Sequence, residues 1–203
     1  MMVALANAWT QSSAHGQDPV IPYTRIEEDW ELVIGEPDPD THAPQVVNII
    51  SPWGDVSRDY AIFEINHSTQ PEYLEGGVQL QLWRDERYYS NAGPYDCTLL
   101  STPGETVTYT LSMAIYNGYL FVKVRNGSSL TWNSFGESSL ILSCPARMPD
   151  LSNYTTNISS SKSRVAFAAH RVEKFALKKV RYYLNGELVK TDDTPRQIHP
   201  PVE

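Results

Sequence analysis

The sequence predicts an all-β domain in which two antiparallel sheets pack as a sandwich. Short segments that alternate apolar and polar residues recur along the chain, and turns rich in Gly, Pro or Asn separate them. Two Asn-Gly pairs, at 117–118 and 185–186, each stand between such segments, where they favour the type I′ turn of a β-hairpin. No segment has a clear helical period, so sheets are expected to enclose the core.

Each strand follows from its own pattern. The longest alternation covers 106–116, and it continues through Asn117-Gly118 into a second run. Residues 170–184 have a helix-forming composition, but they lead into Asn185-Gly186, which favours a strand over 172–184 with a bulge at Lys178-Lys179. Residues 145–163, rich in Pro, Ser, Asn and Thr, are expected to form a surface loop. The predicted strands are 28–34, 45–51, 59–67, 78–83, 106–116, 119–125, 138–144, 172–184 and 187–190.

The length predicts one domain with tails. The 203 residues suit a single domain, and a hydrophobic content of 41% is sufficient for a core. We expect an irregular N-terminal arm or a remnant of a targeting segment at 1–27, the sandwich at 28–191, and a C-terminal tail at 192–203. The arm begins with a short apolar stretch without preceding basic residues, so secretion or display at the cell surface is one expectation and a loose tail is the other.

The charge and the hydropathy exclude some classes of protein. The net charge of −8 argues against a nucleic-acid partner, which normally meets a basic surface. No run of about 18 apolar residues exists, so no membrane span is predicted. The cysteines, Cys97 and Cys144, lie outside any Cys-x-x-Cys pair, and two buried free thiols are favoured over one disulfide.

Several segments, from about residue 28 to residue 199, resemble a family of small, uncharacterised β-rich proteins of planctomycete bacteria. No activity is established for this family, so the resemblance implies a β-rich fold and no reaction. The matching segments are Glu28-Asp-Trp-Glu-Leu32, Phe63-Glu-Ile-Asn-His-Ser-Thr-Gln-Pro71, Gly76-Gly-Val-Gln-Leu-Gln-Leu-Trp83, Thr102-Pro-Gly-Glu-Thr-Val107, Asn126-Gly-Ser-Ser-Leu-Thr-Trp-Asn-Ser-Phe-Gly136, Asn153-Tyr154 and Val180-Arg181.

A second resemblance concerns architecture. The segment Lys178-Lys-Val-Arg-Tyr-Tyr-Leu-Asn-Gly186 looks like the closing strand of concanavalin-A-like jelly rolls. That group includes lectins, sugar-binding modules, glycoside hydrolases and polysaccharide lyases. The fold alone does not choose among them.

Polar residues on the alternating strands form the candidate site. If these strands share one sheet, their outward residues share one surface, where amides and charges suit sugar hydroxyls and an indole suits a sugar ring. The alternative is an ordinary solvated outer face, which antiparallel sheets commonly have. The candidate ligand-binding residues are Glu64, Asn66, Gln79, Gln81, Trp83, Lys123 and Arg125, together with Trp132, whose alternative role is to plug one end of the core.

No catalytic residue, metal ligand or cofactor is predicted. The carboxylate spacing of the concanavalin-A-like hydrolases is missing, and the acidic cluster of 27–31 is expected to be solvated. A polysaccharide lyase is the third hypothesis, because Lys123 and Arg125 suit a uronate and His67 or a tyrosine suits a base. The five histidines form no metal motif, whereas the oxygen-rich segments Asp38-Pro-Asp40 and Asp192-Asp193 leave calcium open.

The sequence therefore predicts a non-catalytic, lectin-like sandwich with a glycan as its partner. A structural subunit that assembles with its own copies through residues 1–27 is the main alternative, because such an arm can pair with the sheet edge of a neighbour.

Overall fold

The computed structural model describes residues 21–36, 43–66, 76–95 and 98–201 of the chain. Four features named above lie outside these ranges: residues 1–20 of the arm, the segment Asp38-Pro-Asp40, His67 and Cys97. Cys144 is a free thiol, and its burial raises its pKa.

Thirteen strands and one α-helix make up most of the described chain. The helix is α1 (Thr156–Lys162). The strands are β1 (Arg25–Ile34), β2 (Gln45–Ile50), β3 (Asp59–Ile65), β4 (Val78–Arg84), β5 (Arg87–Tyr95), β6 (Thr106–Tyr116), β7 (Tyr119–Ser129), β8 (Asn133–Phe135), β9 (Ile141–Pro145), β10 (Arg164–Phe167), β11 (Val172–Leu184), β12 (Glu187–Asp192) and β13 (Arg196–His199).

The strands form two antiparallel sheets. The larger sheet has the order β12-β11-β1-β6-β7-β8, with β13 also paired to β11 and β9 also paired to β7. The smaller sheet has the order β10-β2-β3-β4-β5. The predicted all-β sandwich of two antiparallel sheets is confirmed.

Inward residues of both sheets meet in one core. Phe63 of the smaller sheet packs edge-on against Tyr109 of the larger sheet, with ring centroids 4.9 Å apart. The Tyr109 hydroxyl accepts a hydrogen bond of 3.1 Å from Asn48 Nδ2, which belongs to the smaller sheet. Each sheet therefore contributes one buried polar group to a hydrogen bond between the two layers.

Both predicted hairpin turns are present. Asn117 and Gly118 have φ values of 48° and 76°, and Asn185 and Gly186 have φ values of 51° and 92°. Such positive φ values are the requirement of the type I′ turn, which Asn and Gly meet at low cost. The bulge is also present, because the register between β1 and β11 shifts at Lys178.

The structure differs from the sequence prediction in a helix, in three strands and at both ends of the sandwich. The predicted loop 145–163 contains α1, where the Thr155 hydroxyl caps the helix by accepting from the backbone N–H of Asn157. Strands β5, β8 and β10 form where no strand is predicted. Pairing also begins at Arg25 and includes Arg196–His199, beyond the expected boundaries of 28 and 191.

Candidate functional site

The outer face of the smaller sheet carries part of the predicted site. Strands β3 and β4 pair so that Glu64 lies opposite Gln79 and Tyr60 lies opposite Trp83. Their alternate neighbours, such as Phe63 and Leu80, are fully buried in the core. Glu64, Gln79, Gln81 and Trp83 therefore share one face, as the alternation predicts.

The amides on this face bond to one another. Gln81 Nε2 donates to Gln79 Oε1 at 2.7 Å and to Glu64 Oε2 at 2.9 Å, while Gln81 Oε1 accepts from Trp83 Nε1 at 2.9 Å. Gln79 and Gln81 are only 5% and 9% exposed. The expectation that they offer their amides to a ligand needs correction, because the geometry makes them supports of the Trp83 indole.

Three aromatic side chains surround the end of this hydrogen-bond chain. The Trp83 ring is nearly parallel to that of Tyr60, at a centroid distance of 6.1 Å and an angle of 12°. The Tyr88 ring meets Trp83 edge-on at 5.9 Å, and Tyr88 is 53% exposed. Burial, followed by the negative charge of Glu86, raises the pKa of Tyr60, so its hydroxyl stays protonated at neutral pH. We name Tyr60, Trp83 and Tyr88 the aromatic cluster.

Asn66 is a structural residue, which corrects its prediction as a ligand contact. It is 3% exposed and has a φ of 53°. Its Nδ2 donates to the carbonyl oxygens of Pro44 and Leu100 at 2.8 and 2.9 Å, and its Oδ1 accepts from the backbone N–H of Leu100 at 2.8 Å. All the hydrogen-bonding groups of this side chain thus serve to tie loops together.

Lys123 and Arg125 do not share a surface with Trp83, because β7 belongs to the larger sheet. Lys123 forms an ion pair of 2.8 Å with Glu137, and Arg125 forms one of 2.9 Å with Glu27. The sequence shows that these side chains point outward, but it does not show which sheet a strand joins. The single predicted surface is therefore two surfaces, on opposite sides of the sandwich.

Trp132 takes the alternative role that the sequence left open. It is 3% exposed, its ring lies edge-on against Phe135 at 5.7 Å, and its Nε1 donates to the carbonyl oxygen of Thr98 at 2.9 Å. It closes one end of the core and is not available to a ligand.

Sequence reasoning missed the charged outer face of the larger sheet. The expectation that the acidic cluster of 27–31 is solvated is wrong for two of its members, since Glu27 is 5% exposed and Glu28 is fully buried. Arg125 and Arg181 contact Glu27 from the strands on either side of β1 and β6. The period-two alternation of charges in β1 was a signal for this face, but the partners are distant in the sequence.

Among the described residues, no group of three or more His, Cys, Asp or Glu side chains is suited to a metal ion. Of the pair considered for calcium, Asp192 is bound to Arg196 at 2.6 Å and Asp193 to Lys179 at 3.0 Å. Every helix in the described ranges falls short of the length and apolar character that a transmembrane helix requires.

Comparisons with known proteins give a likeness to solved structures only. No protein family matches the chain, and no curated protein matches it. Among solved structures, the chain is similar to the crystal structure of an ancestral congerin, Con-anc, with a TM-score of 0.29 and 10% sequence identity. The match covers 62% of this chain and 89% of that chain. A likeness of this size carries no ligand from the congerin to this chain.

Proposed function

We propose that this protein is a lectin-like sandwich that binds carbohydrate, without catalysis, through the aromatic cluster. The observation that carries the proposal is the position of Trp83, on an outer sheet face between Tyr60 and Tyr88. Aromatic rings with one polar end suit ligands that combine apolar ring faces with hydroxyls. The partly exposed Tyr88 provides a second ring beside the indole.

The hydrogen-bond chain supports this proposal through preorganisation. Trp83 Nε1 already donates to Gln81, and Gln81 is held in turn by Gln79 and Glu64. The indole orientation is therefore set before a ligand arrives, which lowers the entropic cost of binding. A sugar would contact the ring surface, while Gln79 and Gln81 would act as positioning residues.

Replacement of Trp83 by alanine is the direct test. We expect Trp83→Ala to reduce binding to a neutral glycan, identified on an array of neutral oligosaccharides, by at least about tenfold, because the stacking surface is removed. Tyr88→Ala is expected to reduce it less. Titration calorimetry measures both effects, and circular dichroism checks that each variant is folded.

Tyr116→Ala is the matched control. Tyr116 is a tyrosine with 66% exposure, and it lies on the larger sheet. Its replacement is expected to leave binding to neutral glycans unchanged. Unaltered affinity in folded Trp83→Ala protein, or equal losses in Trp83→Ala and Tyr116→Ala, would refute the site.

Four sequence predictions stay predictions. They are membership of the planctomycete family, secretion, assembly through residues 1–27, and lyase activity. The first 20 residues of the arm lie outside the described ranges. The division of the chain into an arm, a sandwich and a C-terminal tail is likewise a prediction.

A further inference from the structure

The outer face of the larger sheet has a trough along its strand β6. Most outward residues of β6 are small, as Thr110, Ser112 and Ala114 illustrate, whereas Tyr116 at the end of the strand is large and 66% exposed. Each of these three small residues lies between longer side chains of β1 and β7: for example, Ala114 is opposite Arg25 on one side and Phe121 on the other. We name the outward row Thr108, Thr110, Ser112 and Ala114 the β6 trough.

Two depressions mark the ends of the β6 trough. One has a volume of about 340 Å³ beside Thr108 and Asn126, and the other has a volume of about 480 Å³ beside Ala114 and Tyr116. From Thr108 to Tyr116 the strand spans roughly 26 Å, at about 3.3 Å per residue. These dimensions suit a linear ligand that lies parallel to the strand.

The ion-paired residues of this face include more cations than carboxylates. The ion pairs around the β6 trough join six cations to four carboxylates in a chain whose net charge is −8. The balanced pair Lys179–Asp193 leaves the surplus unchanged. The cations are Arg25, Lys123, Arg125, Lys174, Lys178 and Arg181. The carboxylates are Glu27, Asp29, Glu31 and Glu137.

Arg125 can exchange its partner without leaving a buried charge unpaired. Its contact with Glu27 crosses the β6 trough between the two depressions, at 2.9 Å. Glu27 also contacts Arg181 at 3.2 Å, Arg25 at 3.3 Å and the Tyr183 hydroxyl at 2.9 Å. Loss of Arg125 therefore leaves no unpaired buried carboxylate, which would be the expensive outcome. The Arg125 side chain is 36% exposed and is open to a ligand.

We propose that the β6 trough binds a linear acidic polysaccharide, whose carboxylate or sulfate group takes the place of Glu27 at Arg125. Arg25, 33% exposed, lies at the neighbouring depression and is a second contact for the same chain. Guanidinium groups suit both anions because of their forked donors. This site goes beyond the proposed function, because it lies on the opposite sheet and selects for charge.

Matched pairs of probes separate charge from sugar shape. Binding is measured by calorimetry for oligogalacturonate against its neutral methyl ester, and for sulfated against unsulfated dextran. We expect at least one charged probe to bind, its neutral counterpart to bind at least about tenfold more weakly, and the affinity to fall as salt is raised. Whether the carboxylated or the sulfated probe binds more tightly identifies the source of the acidic group.

Variants then place the ligand on this face. Arg125→Gln is expected to weaken binding of the charged probe about tenfold, and Lys123→Gln is expected to weaken it less. Lys162→Gln, which removes an exposed cation from α1, is the control and should bind as the wild type does. If Arg125→Gln loses its fold, Lys123→Gln together with the Lys162→Gln control decides the outcome. Trp83→Ala should bind the charged probe normally, which separates this proposal from the proposed function.

Three results would overturn the proposal. The first is that neither charged probe binds to the wild-type protein. The second is equal binding of the charged and neutral members of each pair, or unchanged affinity in the folded Arg125→Gln and Lys123→Gln variants. The third is tighter binding of a single-stranded oligonucleotide than of either acidic glycan, which would assign the cations to a different class of polymer.

Discussion

As the pH rises from about 5 to about 8, the wild-type protein is expected to lose stability because of Glu28, and the Glu28→Gln variant is expected not to show this loss. Glu28 lies on the inward side of β1 and is fully buried. Its Oε1 accepts from the Tyr154 and Ser159 hydroxyls at 2.6 and 2.5 Å, and its Oε2 accepts from Trp30 Nε1 at 3.0 Å. It therefore joins the larger sheet to the segment that contains α1.

Burial decides the direction of the pKa shift. The cost of charge in the core outweighs the three donated hydrogen bonds and the more distant Arg196, and it raises the pKa of Glu28 from 4.5 to about 7. The other ionisable groups facing this carboxyl are Tyr109, Tyr154 and Tyr182, and each has its own pKa raised above 10, chiefly by burial. These three hydroxyls do not titrate between pH 5 and 8.

The raised pKa fixes the sign of the pH dependence. Between about pH 4.5 and pH 7 the folded protein keeps a proton on Glu28 that the unfolded chain has released. This contribution is fully present below about pH 4.5, and it is lost as the pH rises through about 7. The free energy of unfolding should fall by about 3 kcal/mol over this range, at about 1.4 kcal/mol per pKa unit. Glutamine does not titrate, so urea denaturation of Glu28→Gln at several pH values should lack this component.

Glu31→Gln is the matched control for Glu28→Gln. Glu31 lies on the same strand but faces outward, and its hydrogen bond to Lys174 lowers its pKa. Its titration therefore occurs below about pH 4.5, so Glu31→Gln should reproduce the wild-type slope between pH 5 and 8. In Glu28→Gln the side-chain NH₂ faces the Trp30 N–H, and two donors cannot bond to each other. This variant should therefore be less stable than the wild type at pH 5. The difference in the free energy of unfolding should be smaller at pH 8, because the wild type has lost stability there. Parallel curves for Glu28→Gln and the wild type would contradict the assignment.

Local patterns predicted the strands and the direction of their side chains, because a strand has a period of two whatever its neighbours are. This was sufficient for the core and for the orientation of Trp83. It was not sufficient for Glu28, which interrupts an apolar face and is tolerated only because Tyr154 and Ser159, far along the chain, supply donors. Lys123 was assigned to the wrong surface for a related reason: sheet membership depends on long-range pairing.

Helix α1 and strand β5 show the same limit of local patterns. The helix has seven residues, too few to display an amphipathic period, and it is held by contacts with β2 and β13. The register of β5 against β4 is shifted at two places, which disrupts a simple alternation. In both cases tertiary packing compensates for a weak local signal.

Replacing Asn66 with alanine is expected to destabilise the protein by about 3–5 kcal/mol, although the residue was predicted as a ligand contact. The change leaves the carbonyl oxygens of Pro44 and Leu100 and the N–H of Leu100 without their partner. Each buried group that loses its hydrogen bond costs about 1–3 kcal/mol, and water reaching the site offsets part of the sum. Urea denaturation measures the loss, and glycan affinity in the fraction that remains folded should be unchanged.

Asn126→Ala separates the hydrogen bonds of Asn66 from its backbone conformation. Both asparagines have a φ of 53°, so both substitutions place alanine in the left-handed region at a cost of about 1 kcal/mol. Asn126 is exposed, however, and its side chain makes one long hydrogen bond of 3.4 Å to Thr110. The difference between the two variants therefore measures what the three buried bonds of Asn66 contribute. Equal losses would mean that backbone strain alone is responsible, whereas a stable Asn66→Ala with abolished glycan binding would return Asn66 to the ligand site.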